Sequence, residues 1–253
     1  MLHPARRVRQ LAATTHAVLL PHITEYIDLA QLLGPWCLLV HDADRAVAMS
    51  ARPAWEAHGA PAVLRPEGEG DYERETLESY IERAILMPEA MSNEVFPPVP
   101  PVVSPAVRRP GMIMSQSSSR AATLSDPREG EEEAASDRNA RLRIGGLGAL
   151  GWLISVSHAK ALNRARPECL RAVELWSCLS ATAGSAGELQ PGVRRATWIL
   201  LGAVLASGTD TLVDDTELLN TLSIVVLQCA WAELDAGVKL AMWEPLLVFL
   251  NSA

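Results

Sequence analysis

The amino-acid sequence predicts a mainly α-helical protein, with a smaller, mixed but mostly helical N-terminal region and a C-terminal bundle of about five helices. Two observations support this fold class. Apolar residues recur with helical spacing in both terminal parts of the chain. Between them, residues 96–140 are rich in proline, serine and acidic side chains, which is typical of a disordered linker. We therefore expect three zones: residues 1–95, residues 96–140 and residues 141–253.

The N-terminal zone carries eight basic and 14 acidic side chains, so most of the net charge of -8 lies there. A helix is expected from Arg6 to Leu33, with Pro21 as an interruption because proline lacks the backbone donor of a helix. Asp71 to Met87 is the clearest helix, since its apolar residues recur on one face. That face consists of Leu77, Tyr80, Ile81, Ala84 and Ile85.

Asp42 and Asp44 follow a short apolar run, Cys37 to Val40, which is either part of a small hairpin or the approach to a turn between helices. The acidic pair is similar to the DxD motif of sugar-nucleotide transferases, in which two carboxylates share a divalent ion. That chemistry also needs several βα repeats, and this chain offers one candidate strand. We interpret both aspartates as turn residues, whose side chains accept hydrogen bonds from nearby backbone N–H groups.

The middle zone opens with the proline-rich stretch 97–101, continues through the serine-rich stretch 115–119 and ends in the acidic run 129–133. Such a segment buries too little apolar surface to offset the entropy lost on ordering. The proline stretch also contains a PxxP pattern, which binds aromatic grooves in some partner domains. We interpret the zone as a spacer.

The C-terminal zone predicts five helices, the first of which is rich in glycine. Glycine lowers helix propensity, so Gly145, Gly146, Gly148 and Gly151 point to close packing of backbones. The third helix is apolar on all sides and is expected at the centre of the bundle. Pro245 invites a kink or a break in the fifth. The predicted ranges are Asn139–Ala165, Pro167–Thr182, Val193–Ala206, Asp214–Glu233 and Val238–Leu250.

The last predicted helix contains the candidate interaction residues. If exposed, its apolar side chains would form a surface for a partner or for self-association. If buried, they would close the core, which is the interpretation that we prefer. The candidates are Trp243, Leu246, Leu247, Phe249 and Leu250.

Asp214, Asp215 and Glu217 are the candidate metal ligands. Together they resemble the acidic motif with which all-helical terpene synthases bind Mg²⁺ and a diphosphate. A second acidic motif is missing here, and few aromatic residues are available to line a carbocation pocket. Acidic residues that cap the start of a helix explain the same pattern, and we prefer this explanation.

Other catalytic patterns are incomplete. The four cysteines have no CxxC spacing, so we expect buried free thiols rather than a zinc or redox site. His158 follows Ser157, but the GxSxG turn of serine hydrolases is absent. No Walker A motif or strand-linked GxGxxG occurs. We expect no cofactor. The sequence does not decide whether the protein is an enzyme, and we favour a protein without enzymatic activity.

Composition also limits the kinds of partner and the cellular location that we expect. With a pI near 5.3 and no basic stripe, general binding to a nucleic-acid backbone is not expected. Free thiols and the lack of an 18-residue apolar run favour an intracellular protein, cytoplasmic or nuclear. A mitochondrial transit peptide, suggested by Arg6, Arg7 and Arg9, is the alternative.

We therefore expect a non-enzymatic interaction or regulatory protein that binds a protein partner or a second copy of itself. An apolar helical module after a serine- and proline-rich linker is similar to the regulatory regions of fungal transcription regulators, although zinc-cluster cysteines are absent. An all-helical, Mg²⁺-dependent enzyme is the first alternative. A membrane-associated protein is the second.

Overall fold

A computed structural model gives the structure of residues 3–23, 28–65, 70–95, 127–159, 168–207 and 216–252. Every regular element in these ranges is helical, which confirms the predicted fold class. A π-helical turn, Trp55–Gly59, connects α3 to α4, and a 3₁₀ helix, Glu168–Arg171, precedes α8. The helices are α1 (Arg6–Ile23), α2 (Leu29–Val40), α3 (Arg45–Ala54), α4 (Ala60–Val63), α5 (Asp71–Leu86), α6 (Pro88–Val95), α7 (Pro127–Ala159), α8 (Val173–Ser177), α9 (Pro191–Ala206), α10 (Thr216–Ala232) and α11 (Ala236–Ser252).

The range of the first predicted helix, Arg6 to Leu33, contains α1 and the start of α2. Helix α2 starts at an N-cap, because the Asp28 side chain accepts a hydrogen bond from the Ala30 N–H at 3.1 Å. It then runs to Val40, so the apolar run that was open to a hairpin interpretation is helical. The following residues form the turn into α3, which decides between the two alternatives in favour of a turn between helices.

Helix α7 starts at Pro127 and therefore includes residues 127–140, which composition assigned to the linker. Proline is favoured in the first turn of a helix, and acidic residues near the N-terminus interact favourably with the helix dipole. Both features are present in the sequence 127–133. The rest of the predicted linker, residues 96–126, lies outside the described residues.

Helix α7 joins the N-terminal and C-terminal zones into one core. It packs against α2, α5 and α6 on one side and against α9 on the other. Buried residues from both zones belong to the same hydrophobic cluster. Two of the four α7 glycines have the predicted close contacts, Gly146 and Gly148, whereas Gly151 makes only ordinary contacts. A Cβ at Gly146 would lie 2.8 Å from Ile85 Cγ1, so only glycine lets α7 approach α5 this closely. The two folded zones are therefore not separate packing units.

The C-terminal helices pack in a layer around α9, which contacts both α7 and α11. The predicted helix Pro167–Thr182 is shorter than expected, since only the 3₁₀ helix and α8 are helical there. Pro245 does not end α11, which continues to Ser252. Gly202 of α9 faces this proline, and a Cβ on it would lie 3.2 Å from Pro245 Cγ.

Candidate interaction surface

Helix α11 has two apolar faces. The inward face, which includes Leu246 and Phe249, is buried in the core with Val238 and Met242. The opposite face is exposed to solvent, and we call it the outward row. It consists of Leu240, Trp243, Leu247 and Leu250, whose exposed fractions are 81%, 56%, 55% and 51%.

The structure therefore divides the five predicted interaction residues between two environments. Trp243, Leu247 and Leu250 are exposed, whereas Leu246 and Phe249 are core residues and cannot contact a partner. Our preference for burial of the whole block is correct for two residues and wrong for three. The physical reason is that α11 is apolar nearly all round, so that packing one side against α9 and α10 leaves the other side without cover.

A groove of about 550 Å³ lies between α9 and α11, beside the outward row. Its lining is mostly apolar: Ile199, Gly202 and Leu205 of α9, and Leu240, Pro245 and Val248 of α11. Because Leu240 belongs to both the groove and the outward row, the two form one continuous surface. We call it the C-terminal apolar surface, with Ile199, Leu240, Trp243, Leu247, Val248 and Leu250 as its exposed apolar members.

Three charged side chains border this surface. Arg195 and Glu244 line the groove, on α9 and α11 respectively, and Lys239 lies at the start of α11. In the part of the chain that the structure describes, none of the three forms an ion pair.

The start of α11 is held by two side chains of the preceding turn. Asp235 Oδ1 accepts a hydrogen bond from the Val238 N–H at 2.9 Å, which caps the helix. Glu233 forms an ion pair with Arg194 of α9 at 2.7 Å, and both side chains are buried. These contacts fix the start of α11, the helix that carries the outward row, to α9.

Helix α10 and the turn that follows it carry a second set of exposed apolar residues. Trp231 and Leu234 are 94% and 87% exposed, and Ile224 and Leu227 are more than half exposed. The buried face of α10 consists of Leu222, Val226 and Cys229, with Val225 partly buried beside them.

The structure describes no contact between the candidate metal ligands. Asp214 and Asp215 lie outside the described residues, and of Glu217 only the backbone, in the first turn of α10, is described. Within the described ranges, no group of three or more His, Cys, Asp or Glu side chains could hold a metal ion.

The aspartates of the DxD-like pair each have a structural partner. Asp42 is buried and forms a bidentate ion pair with Arg9, with Nε–Oδ2 and Nη2–Oδ1 distances of 2.9 and 3.2 Å. Its Oδ1 also accepts the Asp44 N–H at 2.8 Å. Asp44 caps α3 by accepting the Ala46 N–H at 2.9 Å. The turn interpretation is confirmed, because both carboxylates are used in holding the turn.

The cysteines and the partly buried histidine are in environments that suppress their reactivity. All four cysteines are free and buried, as predicted. Burial raises the pKa of Cys178 to about 11 and that of Cys169 to about 12, so both thiols stay protonated at neutral pH. Burial, with the charge of Arg52 as a second cause, lowers the pKa of His41 to about 4. His41 is therefore neutral at physiological pH, and the side chain of His158 lies outside the described part.

Across the described ranges, every helix is too short or too polar to cross a lipid bilayer. Comparison of the chain with protein-family models, with curated proteins and with solved structures finds no match.

Neither Ile199 nor the groove is among the interaction residues predicted from the sequence. The heptad-like spacing of the outward row was present in the sequence and could have identified Leu240 as its first member. The groove could not be found in this way, because it depends on how α9 and α11 pack.

Proposed function

We propose that this chain is a helical interaction module with a regulatory role, and that it binds a protein partner through the C-terminal apolar surface. The observation that carries this proposal is the outward row of α11. Four large apolar side chains at positions 240, 243, 247 and 250 are at least half exposed, although the same helix already buries a full apolar face in the core.

The size of the surface supports this function. Its six apolar members are on average more than half exposed. They therefore show on the order of 600 Å², since a large side chain offers about 150–250 Å². A patch of that size is at the upper end of what monomeric proteins leave uncovered, and such patches mark interaction sites. Covering it would yield up to about 15 kcal/mol, from which the cost of association is subtracted.

The shape of the surface favours a helical partner. A groove between two helices that runs beside a ridge of apolar side chains accepts the apolar face of an amphipathic helix. Arg195 and Glu244 at the groove provide one positive and one negative contact for the flanking polar residues of such a helix. This combination gives specificity as well as apolar contact.

The proposal is tested by placing a photo-activated cross-linking residue at position 247 in the full chain, within the cells that naturally make it. We expect cross-links to protein from position 247, identified by mass spectrometry and lost when Leu240→Asp is added. The matched control is position 49, because Met49 is equally exposed but lies on α3, away from the surface. Equal cross-linking from both positions, or cross-links from position 247 to lipid alone, would contradict the proposal.

A further inference from the structure

The outward row has the spacing of a coiled-coil seam. Its residues are separated by three, four and three positions, from Leu240 through Trp243 and Leu247 to Leu250. Side chains that alternate in this way occupy the a and d positions of a heptad and pack against the same positions of a second helix. The seam faces solvent over its whole length, so it is complete except for that second helix.

The charges of α11 fit the same register. This helix has two ionisable side chains, Lys239 and Glu244. If Leu240 and Trp243 are positions a and d, Lys239 is a g position and Glu244 is the e position five residues later. In a parallel two-stranded coil, a g residue meets the e residue of the following heptad on the other strand. Lys239 and Glu244 cannot contact each other within one helix at this spacing. Neither forms an ion pair in the described chain.

A second copy of the same helix satisfies both features at once. It supplies an identical apolar seam, and it supplies a glutamate for each lysine and a lysine for each glutamate, so that two equivalent ion pairs close the contact. The core face of α11 is not disturbed, because Met242, Leu246 and Phe249 lie on the opposite side. Pro245 also faces away from the seam, toward Gly202.

We propose that α11 pairs in parallel with α11 of a second copy of this chain, with the outward row in the seam and Lys239 paired with the partner's Glu244. This inference rests on the proposed function, since it identifies the partner of the same surface. The seam contains four of the six members of the C-terminal apolar surface, so it covers less area than the roughly 800 Å² per partner of a standard interface. The dimer is accordingly weak and concentration-dependent, with a dissociation constant on the order of micromolar.

The test is the molar mass of the full chain, measured by sedimentation equilibrium over a wide range of concentrations. We expect the mass to rise toward that of two chains. Leu247→Asp should abolish the rise, whereas Met49→Asp, an equally exposed site on α3, should leave it unchanged. Circular dichroism establishes that both variants are folded. A mass of one chain at every concentration up to the solubility limit would overturn the inference.

Charge exchange tests the parallel register. Lys239→Glu alone and Glu244→Lys alone each place like charges opposite each other, and each should weaken association by about tenfold. Mixing the two single variants restores opposite charges at both contacts, as does the double variant, so both should associate as wild type does. Single variants that associate as tightly as wild type would overturn the proposal.

The cross-linking experiment separates this inference from the proposed function. Cross-links from position 247 to a second copy of the chain support both. Cross-links to a different protein, together with a monomeric chain in sedimentation, overturn the self-pairing and leave the interaction function in place. If position 247 cross-links to no protein, both proposals fail.

Discussion

Arg194 of α9 and Glu233, which directly follows α10, form a buried bidentate ion pair. Arg194 Nε donates to Oε2 at 2.7 Å, and Nη2 donates to Oε1 at 3.0 Å. Glu233 Oε1 also accepts the backbone N–H groups of Leu234 and Asp235 at 3.0 and 2.9 Å. One carboxylate therefore fixes the turn before α11 to α9, and with it the position of the outward row.

The ion pair also sets the protonation of the glutamate. Burial by itself would raise the pKa of Glu233, but hydrogen bonds from Arg194 and from the Asp235 and Leu234 N–H groups, together with the arginine charge, outweigh it. The pKa of Glu233 is therefore held below its usual value, and the carboxylate is ionised at neutral pH.

Replacing Glu233 by glutamine should destabilise the protein by roughly 3–5 kcal/mol, because Arg194 would remain buried without a counter-charge. Urea unfolding followed by circular dichroism measures the change. The matched control is Glu73→Gln, which removes one ion pair of the exposed Arg65, at 3.5 Å, and should cost less than about 1 kcal/mol. Equal losses in the two variants would show that the buried pair has no special role.

The same pair predicts a dependence of stability on pH. Because the pKa of Glu233 is lower in the folded than in the unfolded chain, its contribution is fully present above the unfolded value of about 4.5. It is lost as the pH falls through the folded value. The difference in unfolding free energy between wild type and Glu233→Gln should therefore shrink below pH 4.5, and a constant difference down to the acid limit would refute this account.

Periodicity and composition were sufficient to predict the helical class, the helix α5 and the close contacts of Gly146 and Gly148 in α7. They could not predict that α7 joins both zones in one core, because the contact of Gly146 with Ile85 depends on residues 61 positions apart in the chain. Nor could they assign the faces of α11. With apolar residues nearly all round that helix, its sequence allows either side to face inward.

Leu246 and Leu247 provide a direct check on the two faces of α11. Leu246→Ala should cost about 2–4 kcal/mol in unfolding free energy, because it opens a cavity in the core. Leu247→Ala removes the same atoms from an exposed position and should change stability by less than about 0.5 kcal/mol, provided that the chain is measured dilute enough to be monomeric. The opposite order would mean that α11 is rotated relative to the structure.

The metal-dependent alternative makes a separate prediction. We expect Mg²⁺ to change the melting temperature by no more than about a few tenths of a degree, since an ion stabilises a protein only if it binds the folded state. Differential scanning fluorimetry of wild type and Asp215→Asn measures this. A clear Mg²⁺-dependent stabilisation that Asp215→Asn abolishes would favour the enzyme over the interaction module.

Two glycines of α7 should respond in opposite ways to replacement by alanine. At Gly151 the new Cβ would lie 3.8 Å from Ala203 Cβ and from Leu200 Cδ1, which is ordinary contact, so Gly151→Ala should stabilise the helix by up to about 1 kcal/mol. At Gly146 the new Cβ would lie 2.8 Å from Ile85 Cγ1 and 3.3 Å from Ala84 Cβ. Because α7 and α5 would have to separate, Gly146→Ala should destabilise by about 1–3 kcal/mol despite the same gain in helix propensity. Parallel urea titrations decide the matter, and a stabilising Gly146→Ala would mean that α7 lies farther from α5 than described.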